Sequence, residues 1–234
     1  MNWGNGIAKD VIWTNEISNI EQKQKVAHVI ADKVKNGDII GIGSGSTATL
    51  ALKEIGKKVK EEKLSILAIP TSFEMMILCT NLGITTTTLI NKKPDWVFDG
   101  ADEVDSMNNL IKGRGGALFK EKLVLSSSLE NYILVDDSKL VSTLGEKFPV
   151  PVEVFPYAIN IVETRLETLG VLDIALRMGK GKDGPVITES GNFIIDVKFK
   201  KIESEFEKEI KSIPGVIESG LFIGPNYNLT IIKG

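Results

Sequence analysis

Four carboxylates crowd into seven residues at Asp99-Gly100-Ala101-Asp102-Glu103-Val104-Asp105. Like charges this close resist ionising together unless something compensates them. Two chemistries would use such a cluster: paired acid/base groups acting on a sugar, or hard oxygen ligands around a magnesium ion. The ordinary alternative is a solvated turn with an acidic helix cap. Shortly after, Lys112-Gly113-Arg114-Gly115-Gly116-Ala117-Leu118-Phe119-Lys120-Glu121-Lys122 sets a lysine before a flexible glycine loop and a glutamate one turn into the next helix. The cation can stabilise an oxyanion and the carboxylate can move a proton. Flanked by lysines, Glu121 by itself fits a surface helix position equally well. A third polar loop, Gly43-Ser44-Gly45-Ser46-Thr47, precedes a helix. Glycines admit a ligand close to the backbone, and the hydroxyls and the helix N-terminus offer donors to a phosphate. Gly43-x-Gly45-x-x-Ala48 formally fits a dinucleotide fingerprint. The next strand, however, ends in Thr71-Ser72 rather than an acidic ribose ligand, and no Gly-Lys-Ser/Thr of a nucleotide loop is present.

Other reactive side chains are few. His28 is the only histidine and Cys79 the only cysteine. On an amphipathic helix His28 reads as packing or surface, which makes histidine triads improbable. Cys79 lies in the apolar run Met75-Met76-Ile77-Leu78-Cys79 and reads as a small core residue. One cysteine permits no intrachain disulfide, and a reducing, cytoplasmic compartment fits. A net charge of −3 over 234 residues lacks the basic excess of a nucleic-acid binder. No apolar run approaches the roughly 18 residues of a membrane span, and the N-terminal stretch, mixing charges and glycines, lacks the continuous apolar core expected of a signal peptide.

The three polar loops need a scaffold that brings strand ends together. Apolar periodicity predicts helices over 20–35, 48–62, 73–81 and 117–129. Short β-branched or apolar runs predict strands over 38–43, 65–70, 84–90, 96–98 and 132–135. Strands alternating with helices indicate an α/β, Rossmann-like parallel sheet. All three loops then follow strands, and ligands of such sheets bind beyond the strands' carboxyl ends. Lys139 follows another strand and can reach the same cleft. From Phe148-Pro149-Val150-Pro151 the pattern changes to strand (150–154), helix (157–169), strand (171–178), strand (193–199), helix (203–210), strand (216–222). This is the βαββαβ order of a smaller, ferredoxin-like α+β domain. Residues 228–232 read as a strand returning to the first domain. The expected division is 1–147 with 224–234, and 148–223, residues 1–19 forming an N-terminal arm.

Taken in order, Gly43-Ser44-Gly45-Ser46-Thr47-Ala48, Asp99-Gly100-Ala101-Asp102-Glu103, Lys112-Gly113-Arg114-Gly115-Gly116-Ala117 with Lys120-Glu121-Lys122, and Phe148-Pro149-Val150-Pro151-Val152-Glu153-Val154 closely resemble the type A ribose-5-phosphate isomerases. Ile213-Pro214-Gly215-Val216 and Gly220-Leu221-Phe222 fit as well, so the resemblance runs from about Lys23 to the C-terminus. Arg114 stands where this family often has glycine. The resemblance implies interconversion of D-ribose 5-phosphate and D-ribulose 5-phosphate without metal or organic cofactor, by a homodimer or higher homo-oligomer. It implies that Glu121 shuttles the proton between C2 and C1 and that Asp99 assists ring opening. Lys112 and the amides of Gly113, Arg114 and Gly115 would stabilise the enediolate. Asp102, with Gly100 and Ala101 beside it, would hold substrate hydroxyls and fix Lys112. Ser44, Gly45, Ser46, Thr47, Lys139 and Lys23 would bind substrate, Lys23 at the phosphate.

Two other functions compete. A sugar-phosphate-binding regulatory domain would keep the phosphate cradle but need not keep Asp99, Lys112 and Glu121 together. A magnesium-dependent phosphotransferase could use the Asp99–Asp105 cluster, but it lacks a nucleotide loop.

Overall fold

The computed structural model describes residues 16–234. Most of the expected N-terminal arm, residues 1–15, lies outside them. The elements run α1 (Ile20–Asp32), β1 (Ile39–Ile42), α2 (Gly45–Glu61), β2 (Leu67–Pro70), α3 (Phe73–Asn81), β3 (Thr85–Thr86) and β4 (Trp96–Asp99). Next come β5 (Glu103–Val104), β6 (Leu110–Ile111), α4 (Leu118–Ser126), β7 (Asn131–Val135) and β8 (Val150–Val154). The chain finishes with α5 (Ile159–Glu167), β9 (Val171–Leu176), β10 (Phe193–Phe199), α6 (Phe206–Ser212), β11 (Val216–Ser219), β12 (Leu221–Phe222) and β13 (Leu229–Lys233). Contacts divide it into two compact units. One holds the residues up to Gly100, Leu123–Ser138 and Asn228–Gly234; the other holds Ala101–Lys122 and Lys139–Tyr227.

The first unit carries a six-stranded sheet in the order β3-β2-β1-β4-β7-β13. Every pairing in it is parallel. Chain order reverses between β1 and β4, the kind of switch point at which doubly wound sheets bind ligands. The short strands β1 and β4 can be almost wholly apolar because helices cover both faces of such a sheet. Val26, Ala27 and Ile30 of α1 and Leu52 and Ile55 of α2 form one core with Ile40, Ile42 and Phe98, all 0% exposed. Cys79 belongs to this core, and burial pushes its thiol up to about 12, which fits a packing residue rather than a nucleophile. His28 is exposed, 3.5 Å from Glu54.

Two elements differ from expectation here. Helix α2 starts at Gly45 rather than Ala48, so Gly45, Ser46 and Thr47 form its first turn instead of a loop before it. The threonine-rich run 84–90 yields only the two-residue edge strand β3. There the N–H groups of Asn91 and Lys92 both donate to the Thr88 carbonyl, and the chain curls away from β2.

The second unit contains a four-stranded sheet in the order β11-β8-β10-β9, antiparallel throughout. With α5 and α6 as crossovers this is the ferredoxin-like arrangement. Val150, Val152 and Val154 pack with Val162, Leu166, Val197 and Ile210 in its core. The expected final strand 216–222 is broken at Gly220 into β11 and β12, which join different sheets. A side chain at Gly220 would meet the Lys112 carbonyl oxygen at 2.1 Å. This close approach lets Lys112 N–H donate to the Gly220 carbonyl while Gly220 N–H donates to that of Pro151. Strand β12 then pairs with β6, and β6 with β5, in a three-stranded sheet.

That small sheet explains why residues 101–122 and 139–147, assigned from the sequence to the first domain, group with the second unit. Glu103 on β5 is fully buried, and its carboxylate accepts from the N–H groups of Gly145, Lys147 and Phe148 at 2.6–2.7 Å. Among the described residues no helix is long and apolar enough to cross a membrane. Glu103→Ala should lower the unfolding free energy by about 2–5 kcal/mol, because it orphans three N–H groups aimed at a buried position. Denaturant unfolding measures this; a loss under about 0.5 kcal/mol would show that the loop is held by other contacts.

Candidate active site

In the first unit the candidate residues gather where β1 and β4 end. The Asp99 carboxylate is 1% exposed. Its Oδ1 accepts from Ser44 N–H at 3.2 Å and Gly100 N–H at 2.7 Å, bridging the switch point. Position 43 must be glycine for this, since a Cβ there would lie 2.1 Å from Asp99 Cγ. Ser44 has extended backbone, φ −118° and ψ 174°, and opens helix α2. Gly45, Ser46 and Thr47 follow in its first turn, where unsatisfied N–H groups and the helix dipole favour an anion. Lys23, on the first turn of α1, is 4% exposed. Its Nζ lies 3.3 Å from Ser46 Oγ, 3.4 Å from Ser18 Oγ and 3.7 Å from Asp136 Oδ2. Burial opposes ionisation of Asp136. Hydrogen bonds from Ser138 and Asn19, with the Lys23 charge, outweigh it and hold the carboxyl below its usual range. The first unit thus gathers Lys23, Ser44, Gly45, Ser46, Thr47, Asp99 and Gly100 around the start of α2 and the end of β4.

The second unit carries Ala101, Asp102, Lys112, Gly113, Arg114, Gly115, Glu121 and Lys139. Lys112 leaves β6 and Glu121 sits in the first turn of α4. Lys112 Nζ and Glu121 Oε2 are 3.2 Å apart, with side chains 3% and 5% exposed. The surface-helix reading of Glu121 therefore fails: the helix turns this glutamate inward. Lys122 is buried too. Its ammonium donates to Glu207 Oε1 at 2.9 Å, Glu218 Oε1 at 3.0 Å and the Leu221 carbonyl at 2.7 Å. It also lies 4.6 Å from the centre of the Phe222 ring. The Tyr227 hydroxyl donates to Glu207, and burial together with that carboxylate pushes the phenol well above its ordinary value. This cluster fastens the first turn of α4 to α6, β11 and β12.

Asp102 is half-buried, and its Oδ2 accepts from Arg114 N–H at 3.0 Å. Burial raises its carboxyl above the ordinary range and Glu121 adds to the rise; the Arg114 N–H, Lys112 and Lys139 oppose it. The Arg114 side chain is turned onto Phe148, its guanidinium 5.7 Å from the ring centre, with Lys139 Nζ 5.4 Å from the same ring. A cleft of about 460 Å³ lies beside Asp102, Arg114, Phe148, Arg177, Met178 and Asp196.

The four-carboxylate cluster divides by role. Glu103 is consumed by the loop described above. Asp105 closes a turn, accepting from Met107 N–H, Asn109 N–H and Asn109 Nδ2 at 2.8–2.9 Å. Among the described residues no group of three or more His, Cys, Asp or Glu is arranged to hold a metal ion. Sequence reasoning missed the Lys122 cluster, the Asp136 anchor of Lys23, and the pair Arg177–Asp196. Each joins residues far apart in the chain, and neither periodicity nor a local motif marks them.

The model of the ribose 5-phosphate isomerase A (phosphoriboisomerase A) family matches residues 67–234. Ribose-5-phosphate isomerase A of Methanocaldococcus jannaschii is 48% identical over 209 residues, 88% of this chain and 92% of that one. The Thermosynechococcus vestitus protein of the same name is 46% identical over 207 residues, 87% of each chain. The solved M. jannaschii structure superposes with a TM-score of 0.85 at 47% identity, covering 88% of this chain and 92% of that one. A D-ribose-5-phosphate isomerase solved with phospho-erythronic acid gives 0.86 at 39% identity, covering 91% and 94%.

The depressed Asp136 carboxyl yields an acid-stability prediction. A carboxyl held low in the folded state contributes stability that is present above its unfolded value, about pH 4, and is lost as pH falls through the folded value. Asp136→Asn should therefore destabilise the protein at pH 7, and by progressively less as pH drops below about 4. An equal deficit at pH 7 and pH 3 in thermal unfolding would contradict this.

Proposed function

The chain belongs to the ribose 5-phosphate isomerase A family, and on that footing we propose that it interconverts D-ribose 5-phosphate and D-ribulose 5-phosphate through an enediolate. The observation that carries this reading is the buried pair Lys112–Glu121, Nζ to Oε2 3.2 Å. An aldose–ketose isomerisation needs a base for a weakly acidic C–H, a cation for the oxyanion that results, and an anchor for the phosphate. Glu121 takes the proton from C2 and returns it to C1, while the proton of the C2 hydroxyl passes to the oxygen on C1 so that C2 becomes the carbonyl. Lys112 and the Gly113 and Gly115 amides of the loop stabilise the charge on the oxygen, while the Arg114 N–H holds Asp102. Because the pair is nearly dry, that electrostatic contribution is large.

The remaining roles follow from chemistry. Asp99 assists opening of the furanose ring, held in place by Ser44 and Gly100 N–H groups. Lys23, Ser46 and Thr47, with the start of α2, take the phosphate. Asp102 and Lys139 hold hydroxyls of the substrate. No metal or organic cofactor enters this scheme. A non-catalytic sugar-phosphate sensor is disfavoured, because it gains nothing from burying a lysine–glutamate pair. Action in the cytoplasm, as a homodimer or higher homo-oligomer, rests on the resemblance and on the single buried thiol.

Glu121→Gln keeps size and polarity but removes the base. It should lower kcat by about 10²-fold or more, change KM much less, and slow exchange of solvent deuterium into the sugar in parallel. Near-normal kcat in this variant, with exchange abolished in Asp102→Asn, would move the base to the acidic loop. Activity should also survive exhaustive chelation, since Lys112 can carry the oxyanion. Loss of turnover, restored only by a divalent ion, would overturn the scheme.

A further inference from the structure

Arg177 lies just beyond β9, outside every motif that pointed to the site. Its guanidinium is gripped on one side by Asp196 of β10: Nε donates to Oδ2 at 2.7 Å and Nη2 to Oδ1. On the other side Nη1 donates to two consecutive carbonyls of the glycine loop, Gly113 at 3.0 Å and Arg114 at 2.9 Å. The fork is planar and rigid, so fixing one edge on a carboxylate aims the other. The Arg177 and Asp196 side chains are only 17% and 21% exposed. The pair is therefore not a fully solvated surface contact of negligible consequence.

A trans peptide is planar, and its N–H points opposite to its C=O. Drawing the Gly113 carbonyl toward Arg177 therefore turns the Arg114 N–H the other way, where it meets Asp102 Oδ2 at 3.0 Å. Drawing the Arg114 carbonyl toward Arg177 likewise turns the Gly115 N–H away from the guanidinium. One residue outside the loop thus sets the direction of two successive amides. One of them holds Asp102, and the other is left facing away from the clamp. Donors aimed in advance at developing charge need no reorganisation when the charge appears, which is why their direction affects rate more than ground-state binding.

We propose that Arg177, oriented by Asp196, is a positioning residue for the isomerisation: it aims the Arg114 and Gly115 amides of the loop that stabilises the enediolate. The inference rests on the functional reading above. It deepens that reading by adding two residues from a different part of the chain.

The test compares Arg177→Met, Arg177→Lys and Asp196→Asn with the parent protein. The measurements are kcat and KM for ribose 5-phosphate, the Kd of phospho-erythronic acid, and the thermal midpoint. Phospho-erythronic acid presents a carboxylate where the enediolate would carry its oxygens. Arg177→Met should lower kcat by about 10–100-fold, the scale of a small misplacement at a reacting centre. KM should change by less than about threefold. The Kd of phospho-erythronic acid should rise in proportion to the loss of kcat/KM, since only transition-state-like binding is affected. Arg177→Lys should recover only part of kcat, lacking the fork. Asp196→Asn should show the same signature in weaker form, and decides the matter if Arg177→Met does not fold. Millimolar guanidinium ion should partly restore kcat to Arg177→Met. Variants with parental kcat would overturn the proposal. So would variants losing activity only in step with their thermal midpoint while phospho-erythronic acid binds as before. A parent protein that neither isomerises ribose 5-phosphate nor binds phospho-erythronic acid would instead remove the functional reading itself.

Discussion

A lysine and a glutamate 3.2 Å apart, both almost sealed from water, set the demands that the second unit has to meet. Burying two charges is costly, and their mutual attraction offsets the cost only when geometry is good and the remaining hydrogen-bonding groups are satisfied. The surroundings of Lys112 and Glu121 supply that order. Lys112 is fixed through its backbone to Gly220. Glu121 is fixed through its neighbour Lys122, which ties the same helical turn to Glu207, Glu218 and the Leu221 carbonyl. The pair also suits the proposed chemistry. When Glu121 takes a proton it becomes neutral, and the negative charge reappears on the substrate oxygen. Lys112 exchanges one anionic partner for another, and the total charge of the site stays constant. A low-dielectric site can accept such a step more readily than one that creates net charge.

The first unit meets a different constraint, which is to expose backbone N–H groups at a defined place. A parallel sheet directs the ends of neighbouring strands to one edge, and the reversal of order between β1 and β4 opens a crevice there. Gly43 lets Asp99 pack against the β1 turn, and Asp99 in turn holds the Ser44 and Gly100 amides. Lys23 carries its own buried counter-charge in Asp136, and its ammonium lies beside Ser46.

Much of this was legible from residue order. The short apolar runs at 39–42 and 96–98 and the β-branched, aromatic run at 193–199 read as strands, and the alternation of strands with helices indicated the parallel sheet. The glycine–hydroxyl loop pointed to a phosphate and the Lys112–Glu121 segment to a cation and a base, while the acidic loop left acid/base work and a metal site both open. What could not be read depends on contacts distant in sequence. Four threonines in a row have strand propensity, yet only Thr85 and Thr86 pair, because propensity cannot say where an edge partner ends. Glu103 looked like part of a functional cluster, and only its three backbone donors some forty residues later reveal it as a structural anchor. Glu121 looked like a surface residue because its neighbours are lysines. One of those lysines is buried on carboxylates about 85 to 96 residues away, which no local window shows.

The strand β13 has a bearing on how this chain is made. It pairs in parallel with β7 from Leu229↔Asn131 to Lys233↔Val135, across a gap filled by most of the second unit. On a ribosome adding roughly 5–20 residues each second, β7 emerges several seconds before its partner. Throughout that interval the nascent sheet presents a raw edge of unpaired N–H and C=O groups, a template for stray strands. The inserted unit contains a pairing of still longer range, β6 with β12, and β12 emerges only shortly before β13. The sheet closes last, by a long-range parallel pairing of the kind that slows folding. Chaperone dependence and aggregation during expression should therefore track this vulnerable interval more closely than the stability of the finished molecule.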